Sequence, residues 1–227
     1  MVASGKAPVI TVDGPSGAGK GTITQMLAKR LGYHLLDSGA LYRLTALAAE
    51  RAGVAFDDES GLVAVAGRLD VAFEPTPPGE PARVLMAVDD VTAQIRTETC
   101  GDNASKVAVI QRVRDALLQR QRDFCVAPGL VADGRDMGTV VFPDAEFKIF
   151  LTASAEARAE RRYRQLMDAG VDVSIDALLK EIRARDHRDM NRESAPLKPA
   201  DDAQVIDSTG LGIEEVLGKV MAAVGQA

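Results

Sequence analysis

The segment that most constrains this chain is ITVDGPSGAGKGT, residues 10 to 22. An apolar run reads as a buried strand, a glycine-rich stretch follows, and helical periodicity begins near Gly19. Strand, glycine loop and helix in that order are the context a phosphate-binding loop requires. Gly14, Pro15, Ser16, Gly17, Ala18, Gly19, Lys20, Gly21 and Thr22 make up the loop. Its glycines let backbone N–H groups approach an anion without Cβ obstruction, and the helix that follows points its partial positive end at the same place. Lys20 adds a mobile positive charge. The commonest pattern puts a hydroxyl directly after the lysine; here Gly21 stands there and the hydroxyl comes at Thr22, so GKGT narrows the families that fit. A purely structural turn would leave Lys20 accidental.

Composition excludes several classes. With 46% apolar and 26% charged residues over 227, the chain has enough material for a core and is neither collagen-like nor disordered. No apolar run approaches the roughly 18 residues of a membrane span, and the opening MVASGKAPVITVD reaches Asp13 before a signal core forms; a soluble, unsecreted, cytoplasmic protein is expected. Cys100 and Cys125 stand apart without a CxxC, and with only His34 and His187 beside them no metal-ligand cluster is expected. The net charge of −6 argues against duplex nucleic acid as the main partner. Yet 19 arginines stand against 8 lysines. The guanidinium fork suits small phosphorylated ligands, although a genomic arginine bias explains the count equally well.

Short apolar runs alternate with helical periodicity, the pattern of an α/β fold: an open parallel five-stranded sheet with helices on both faces. The strands are read at 8 to 13, 34 to 37, 130 to 133, 147 to 152 and 203 to 207, with a helix following each. More than ninety residues separate the second strand from the third, so something is inserted there. LDVAFE (69 to 74) and ARVLMA (82 to 87) flank the turn-rich PTPPGEP and predict a small antiparallel β unit with a loose loop. One long amphipathic helix is predicted from about Ala104 to Phe124, with Val109, Val113, Ala116, Leu117 and Phe124 on its buried face.

Two further clusters fall at strand ends. In Asp37-Ser38-Gly39-Ala40-Leu41-Tyr42-Arg43, Asp37 or Ser38 can cap the next helix, and Arg43 can reach an anion held there; a capped helix with an exposed arginine is the plainer alternative. In Leu130-Val131-Ala132-Asp133-Gly134-Arg135-Asp136, carboxylates and an arginine lie at the carboxyl edge of the sheet, where open α/β sheets bind ligands. Asp133 suits Mg²⁺ or its waters, or simply caps a turn. Eight arginines lie between 158 and 192. Arg158, Arg161 and Arg162 share a helix face, and Arg185, Arg188, Asp189 and Arg192 form one stripe of a later helix whose core face is Ile175, Leu178, Leu179 and Ile182. Eight acidic residues are interspersed over 156 to 192, so a solvated, salt-bridged hairpin competes with a set of donors for a transferring phosphoryl group.

GPSGAGKGT, HLLDSGALYR, LVADGRDMGTVVFPD and RDHRDMNR, in this order along nearly the whole chain, resemble the bacterial cytidylate kinase family. The resemblance implies a nucleoside-monophosphate kinase of P-loop NTPase type. Its kinase core would be 1–52 and 128–227, with a helical lid at about 157–193 and a monophosphate-binding insertion at 53–127. It implies ATP held by the loop around Lys20, with Mg²⁺ bridging the phosphates, and CMP or dCMP as acceptor. Ser38, Arg43, Arg135 and Arg192 match positions around the acceptor phosphate. Ser105, Arg114 and Asp136 match those facing cytosine, Arg185 and Asp189 those near the sugar, and Arg161 and Arg162 look like lid arginines. Lys20, Arg135, Arg161, Arg162 and Arg192 would be the catalytic set, in a monomer. The lid is expected to be open or disordered without nucleotide, its arginines gaining partners only when phosphates arrive. A GTPase switch lacks its Asn-Lys-x-Asp motif here. A non-catalytic nucleotide module and a P-loop kinase of another small acceptor, such as a sugar acid, are the competing classes.

Overall fold

β1 (Val9–Asp13) is buried at all five residues because it runs through the middle of a parallel sheet. In the computed structural model, which describes residues 7–74 and 83–225, it pairs on one side with β6 (Leu130–Gly134) and on the other with β7 (Phe147–Thr152). β2 (His34–Asp37) and β8 (Gln204–Asp207) complete the order β2-β6-β1-β7-β8. β1 and β6, buried at every residue, read as continuous runs rather than alternations, while the edge strands β2 and β8 each bury one residue; all five match the sequence reading to within a residue. The register aligns Asp37 with Asp133 and Asp13 with Gly134, so the carboxyl edge gathers carboxylates. Beneath it, Ile23, Leu27 and Ala28 of α1 (Lys20–Leu31) and Val216, Leu217 and Val220 of α8 (Ile213–Ala223) close one core with Ile10, Val12, Val131, Ile149 and Ile206. Gly32, in the left-handed region, ends α1 by turning its N–H back to Ala28 and Lys29.

Contacts divide the chain into Met1–Asp37 with Arg122–Ala227, which holds this sheet, and Ser38–Gln121. The family resemblance implies boundaries at 52/53 and 127/128. α2 (Ser38–Arg51) belongs with the second unit because its buried face, including Leu41, Leu44 and Leu47, packs on α4 (Glu98–Val107) and on α3 (Glu59–Gly67).

In the second unit, β3 (Val71–Glu74) and β4 (Arg83–Met86) pair antiparallel as expected, and a short β5 (Asp89–Asp90), not anticipated, pairs with β4. The loop PTPPGEP lies outside the described residues. The single long helix from Ala104 to Phe124 is corrected to two. α4 starts earlier, where the Thr97 hydroxyl accepts from the Cys100 N–H, and α5 (Gln111–Asp123) starts after a tight turn in which the Ile110 N–H bonds to the Val107 carbonyl. Arg114 takes the Ala108 carbonyl left over at the break, at 3.3 Å. Val109, placed on the buried face by the continuous-helix pattern, is 45% exposed.

A second correction concerns β6. No α-helix follows it; the chain makes a five-residue π-helical turn, Met137–Val141, and returns as β7. α6 (Ala155–Asp168) and α7 (Ile175–Asn191) form an antiparallel hairpin, and each is capped by a serine, Ser154 and Ser174. Of the anticipated core face of α7 only Leu178 is buried; Ile175, in the first turn, is 38% exposed. No helix among the described residues is long and apolar enough to cross a membrane.

Candidate functional site

The glycine loop leaves β1 at Gly14, where φ is 151° and a Cβ would stand 1.9 Å from the Leu151 carbonyl oxygen, so only glycine lets the loop lie against β7. Gly19, left-handed at φ 96°, caps α1 without a side chain, and the first amides of that helix face the loop's anion position. The loop is braced from α6 and from the end of β8. Arg158 donates to the Ser16 carbonyl at 3.0 Å, and the Ser208 hydroxyl donates to that of Ala18 at 3.1 Å.

Lys20 is almost wholly buried, donates to the Pro15 carbonyl at 3.1 Å and lies 3.7 Å from Asp133. Burial pulls the lysine pKa down while the Asp133 charge pulls it back up. The Asp133 carboxyl is raised to about 6 by burial, with Lys20 opposing. This pair places one cation and one hard oxygen ligand at the mouth of the loop. Thr22 is exposed on the first turn of α1. Among the described residues no group of three or more His, Cys, Asp or Glu is clustered to hold a metal ion. A lone carboxylate and a hydroxyl fit Mg²⁺, which keeps most of its waters and takes further oxygens from substrate phosphates.

Across the same sheet edge, the turn after β6 and the end of α7 interlock through charge. Arg135 donates to Asp189 at 2.5 Å, and Arg192, the C-cap of α7, lies 3.6 Å from Asp136 while its Nε donates to the Ala195 carbonyl at 2.6 Å. All four side chains are at most 15% exposed. Burial alone would raise the Asp189 carboxyl, but Arg135, Arg185 and Arg192 outweigh it and hold it below the usual carboxylate range. Asp13, absent from the sequence-derived set, accepts from the N–H groups of Met137 and Gly138 at 2.8 Å each. Burial raises it to about 7 against those two bonds.

The arginines of the α6–α7 hairpin already have protein partners, contrary to the expectation that phosphates must supply them. Arg158 pairs with Asp186, Arg164 with Glu160 and Arg183 with Glu156. Arg161 donates to the backbone and hydroxyl oxygens of Ser208, and Arg162 to Gln165. Arg185 stands half-buried beside Asp189.

The second unit holds the remaining sequence candidates. Ser38 is the first residue of α2 and donates its hydroxyl to Gln121 at 2.7 Å; Gln121, fully buried, was not anticipated. Arg43 donates to the carbonyls of Ile95 at 2.7 Å and Thr97 at 3.4 Å. The buried Ser105 lies in α4, and the buried Arg114 guanidinium stands 5.8 Å over the Tyr42 ring. The signal for Asp13 was present in the sequence as a lone carboxylate ending an otherwise apolar strand. Nothing in local spacing marks Gln121 or Asp186.

Comparison with known proteins places these features in context. The family model described as cytidylate kinase matches residues 10–226. A cytidylate kinase of Shewanella frigidimarina is 60% identical over 98% of this chain and 97% of its own length. That of Aeromonas hydrophila is 61% identical over 95% of this chain and 93% of its own. Among solved structures, a gluconokinase from Sinorhizobium meliloti covers 97% of this chain and 93% of its own at 13% identity, with a TM-score of 0.46.

Proposed function

The chain belongs to the cytidylate kinase family, and from a kinase that phosphorylates CMP with ATP we propose the following division of labour among its residues. The loop from Gly14 to Thr22 holds the triphosphate, with Lys20 on the oxygens whose charge grows during transfer. Asp133 and Thr22 would hold Mg²⁺, which would supply neutralisation of that charge. Arg135 and Arg192 bind the acceptor phosphate, with Ser38 and Arg43 assigned to the same group. Asp136, Ser105 and Arg114 read cytosine, Arg185 and Asp189 meet the sugar, and Arg161 and Arg162 stabilise the transferring group. dCMP is a second acceptor.

No general base is needed. The second pKa of a phosphate monoester is about 6, so the acceptor oxygen is already largely anionic at neutral pH. What remains is to align two anions that repel and to exclude water, which is the work of oriented cations and a closing hairpin. The observation that carries this reading is the buried Lys20–Asp133 pair at the mouth of a glycine loop. Buried charges at a sheet edge are costly without a function or a partner. A coupled assay with ATP and each of AMP, CMP, dCMP, UMP and GMP tests it. Turnover is expected with CMP and dCMP and little with the others. Turnover of a sugar acid in place of every nucleotide would overturn it.

A further inference from the structure

Asp136 opens the π-helical turn Met137–Val141, and an aspartate in that position ordinarily caps its own helix by accepting from amides one turn in. Here it does not: the Asp136 side chain makes no capping bond. The first two amides of the turn are taken instead by Asp13, which reaches from the neighbouring strand and accepts from Met137 and Gly138 at 2.8 Å each. Asp136 faces Arg192, 3.6 Å away. Glycine at 138 permits this approach, because a Cβ there would stand 2.9 Å from the Thr11 hydroxyl of β1 and 3.2 Å from the Lys148 side chain. We propose that Asp13 is a positioning residue for acceptor selection: by capping the turn in place of Asp136, it keeps the Asp136 carboxylate, and the Arg135 beside it, available to the acceptor.

The physical argument is a competition for the same donors. Two buried amide N–H groups must be satisfied, and leaving them unpaired is costly. With Asp13 present they are satisfied from outside the turn. Without it, the Asp136 carboxylate at the head of the same turn can take an amide of that turn, and a carboxylate drawn onto its own backbone is lost to an exocyclic amino group. Asp13 touches no part of either substrate in this account; it acts through Asp136. It also sits next to Gly14, so the residue that roots the phosphate loop is also the one that sets the acceptor turn.

The inference rests on the assignment of Asp136 to the base, so the experiment separates the two. kcat/KM for CMP and UMP is measured in the wild type, Asp13→Asn, Asp136→Asn and the double variant. An asparagine at 13 keeps the shape but offers one acceptor oxygen for two donors. Asp13→Asn is expected to raise KM for CMP and narrow the CMP to UMP ratio by about tenfold or more, as loss of a partner in a site built to hydrogen-bond its substrate does. The double variant is expected to narrow the ratio no further than Asp136→Asn alone, because the two residues act in series. Should Asp13→Asn fail to fold, Gly138→Ala pushes the turn off β1 with Asp13 intact and is expected to give the same narrowing. A folded Asp13→Asn protein with an unchanged ratio, or additive effects in the double variant, overturns the inference. A wild-type ratio that Asp136→Asn leaves untouched instead overturns the base assignment.

Discussion

Arg158 grips Asp186 with both terminal guanidinium nitrogens, at 2.9 and 2.5 Å, joining α6 to α7 near their capped and basic ends. Its Nε donates to the Ala153 carbonyl and its Nη1 also to that of Ser16, so one planar side chain ties the hairpin to its own root and to the phosphate loop. Arginine suits the role because its fixed fork serves five acceptor atoms, the Ser154 carbonyl among them, without rotation. Charges of the hairpin are thus compensated within the protein, which bears on how it responds to nucleotide.

Removing Asp186 leaves Arg158 buried and short of its anion. Breaking one partner of such a pair typically costs about 3 kcal/mol, whereas replacing both partners by apolar groups costs far less. Urea unfolding of Asp186→Ala should show a loss of that order, and the Arg158→Met, Asp186→Leu pair a smaller one. An unchanged midpoint for Asp186→Ala would show that the pair is dispensable.

Exchange of amides in residues 158 to 192 should slow on adding ATP with CMP, since phosphates give the hairpin's arginines a second set of acceptors. The change should be graded rather than a passage from disorder to order, because Arg158, Arg164 and Arg183 are paired beforehand. Equal exchange in both states would remove closure of the hairpin from the mechanism.

Lys20→Ala should fold and bind nucleotide while losing 10²-fold or more in kcat, about 3 kcal/mol, as when one preorganised donor is removed from developing charge. Circular dichroism checks the fold and the coupled assay the rate.

Asp136→Asn replaces an acceptor by an amide able to rotate and donate. Cytosine presents an amino donor at C4 where uracil presents a carbonyl, so kcat/KM for CMP should fall and the CMP to UMP ratio, about 10²-fold in the unaltered site, should narrow. An unchanged ratio would remove Asp136 from base recognition.

Stability should depend on pH through Asp13. Its carboxyl rises from 3.8 to about 7 in the folded protein, through burial and the nearby Asp136 charge, against the two backbone bonds and Lys20. The folded state therefore binds a proton that the unfolded chain has released, and this contribution is fully present below pH 3.8 and lost as pH rises to about 7. Asp13→Asn cannot titrate there. The difference in unfolding free energy between the two proteins should shift in favour of the variant from pH 4 to 7.5, and a difference constant with pH would contradict the raised pKa. Asp133, raised to about 6, adds a parallel slope in both proteins and cancels in the comparison.

The sheet strands and the phosphate loop were legible in the sequence because both are local. A continuous apolar run bounded by polar residues specifies a strand covered on both faces, and a glycine loop between strand and helix carries its own anion chemistry. Spacing along the chain also brought out Lys20, Asp133, Arg135 and Asp136. What local pattern could not supply was which group answers which. The break at Ala108 to Ile110 defeats a periodicity that runs through it unbroken, since Arg114 and a tight turn absorb the stray carbonyls and amides there. The pairing of Arg135 with Asp189, of Arg158 with Asp186 and of Ser38 with Gln121 joins residues 54, 28 and 83 positions apart. Such partners are chosen by the crossing of strands and the docking of helices. A buried charge or hydroxyl accepts whatever group the fold brings within about 3 Å, and no propensity of either residue foretells it.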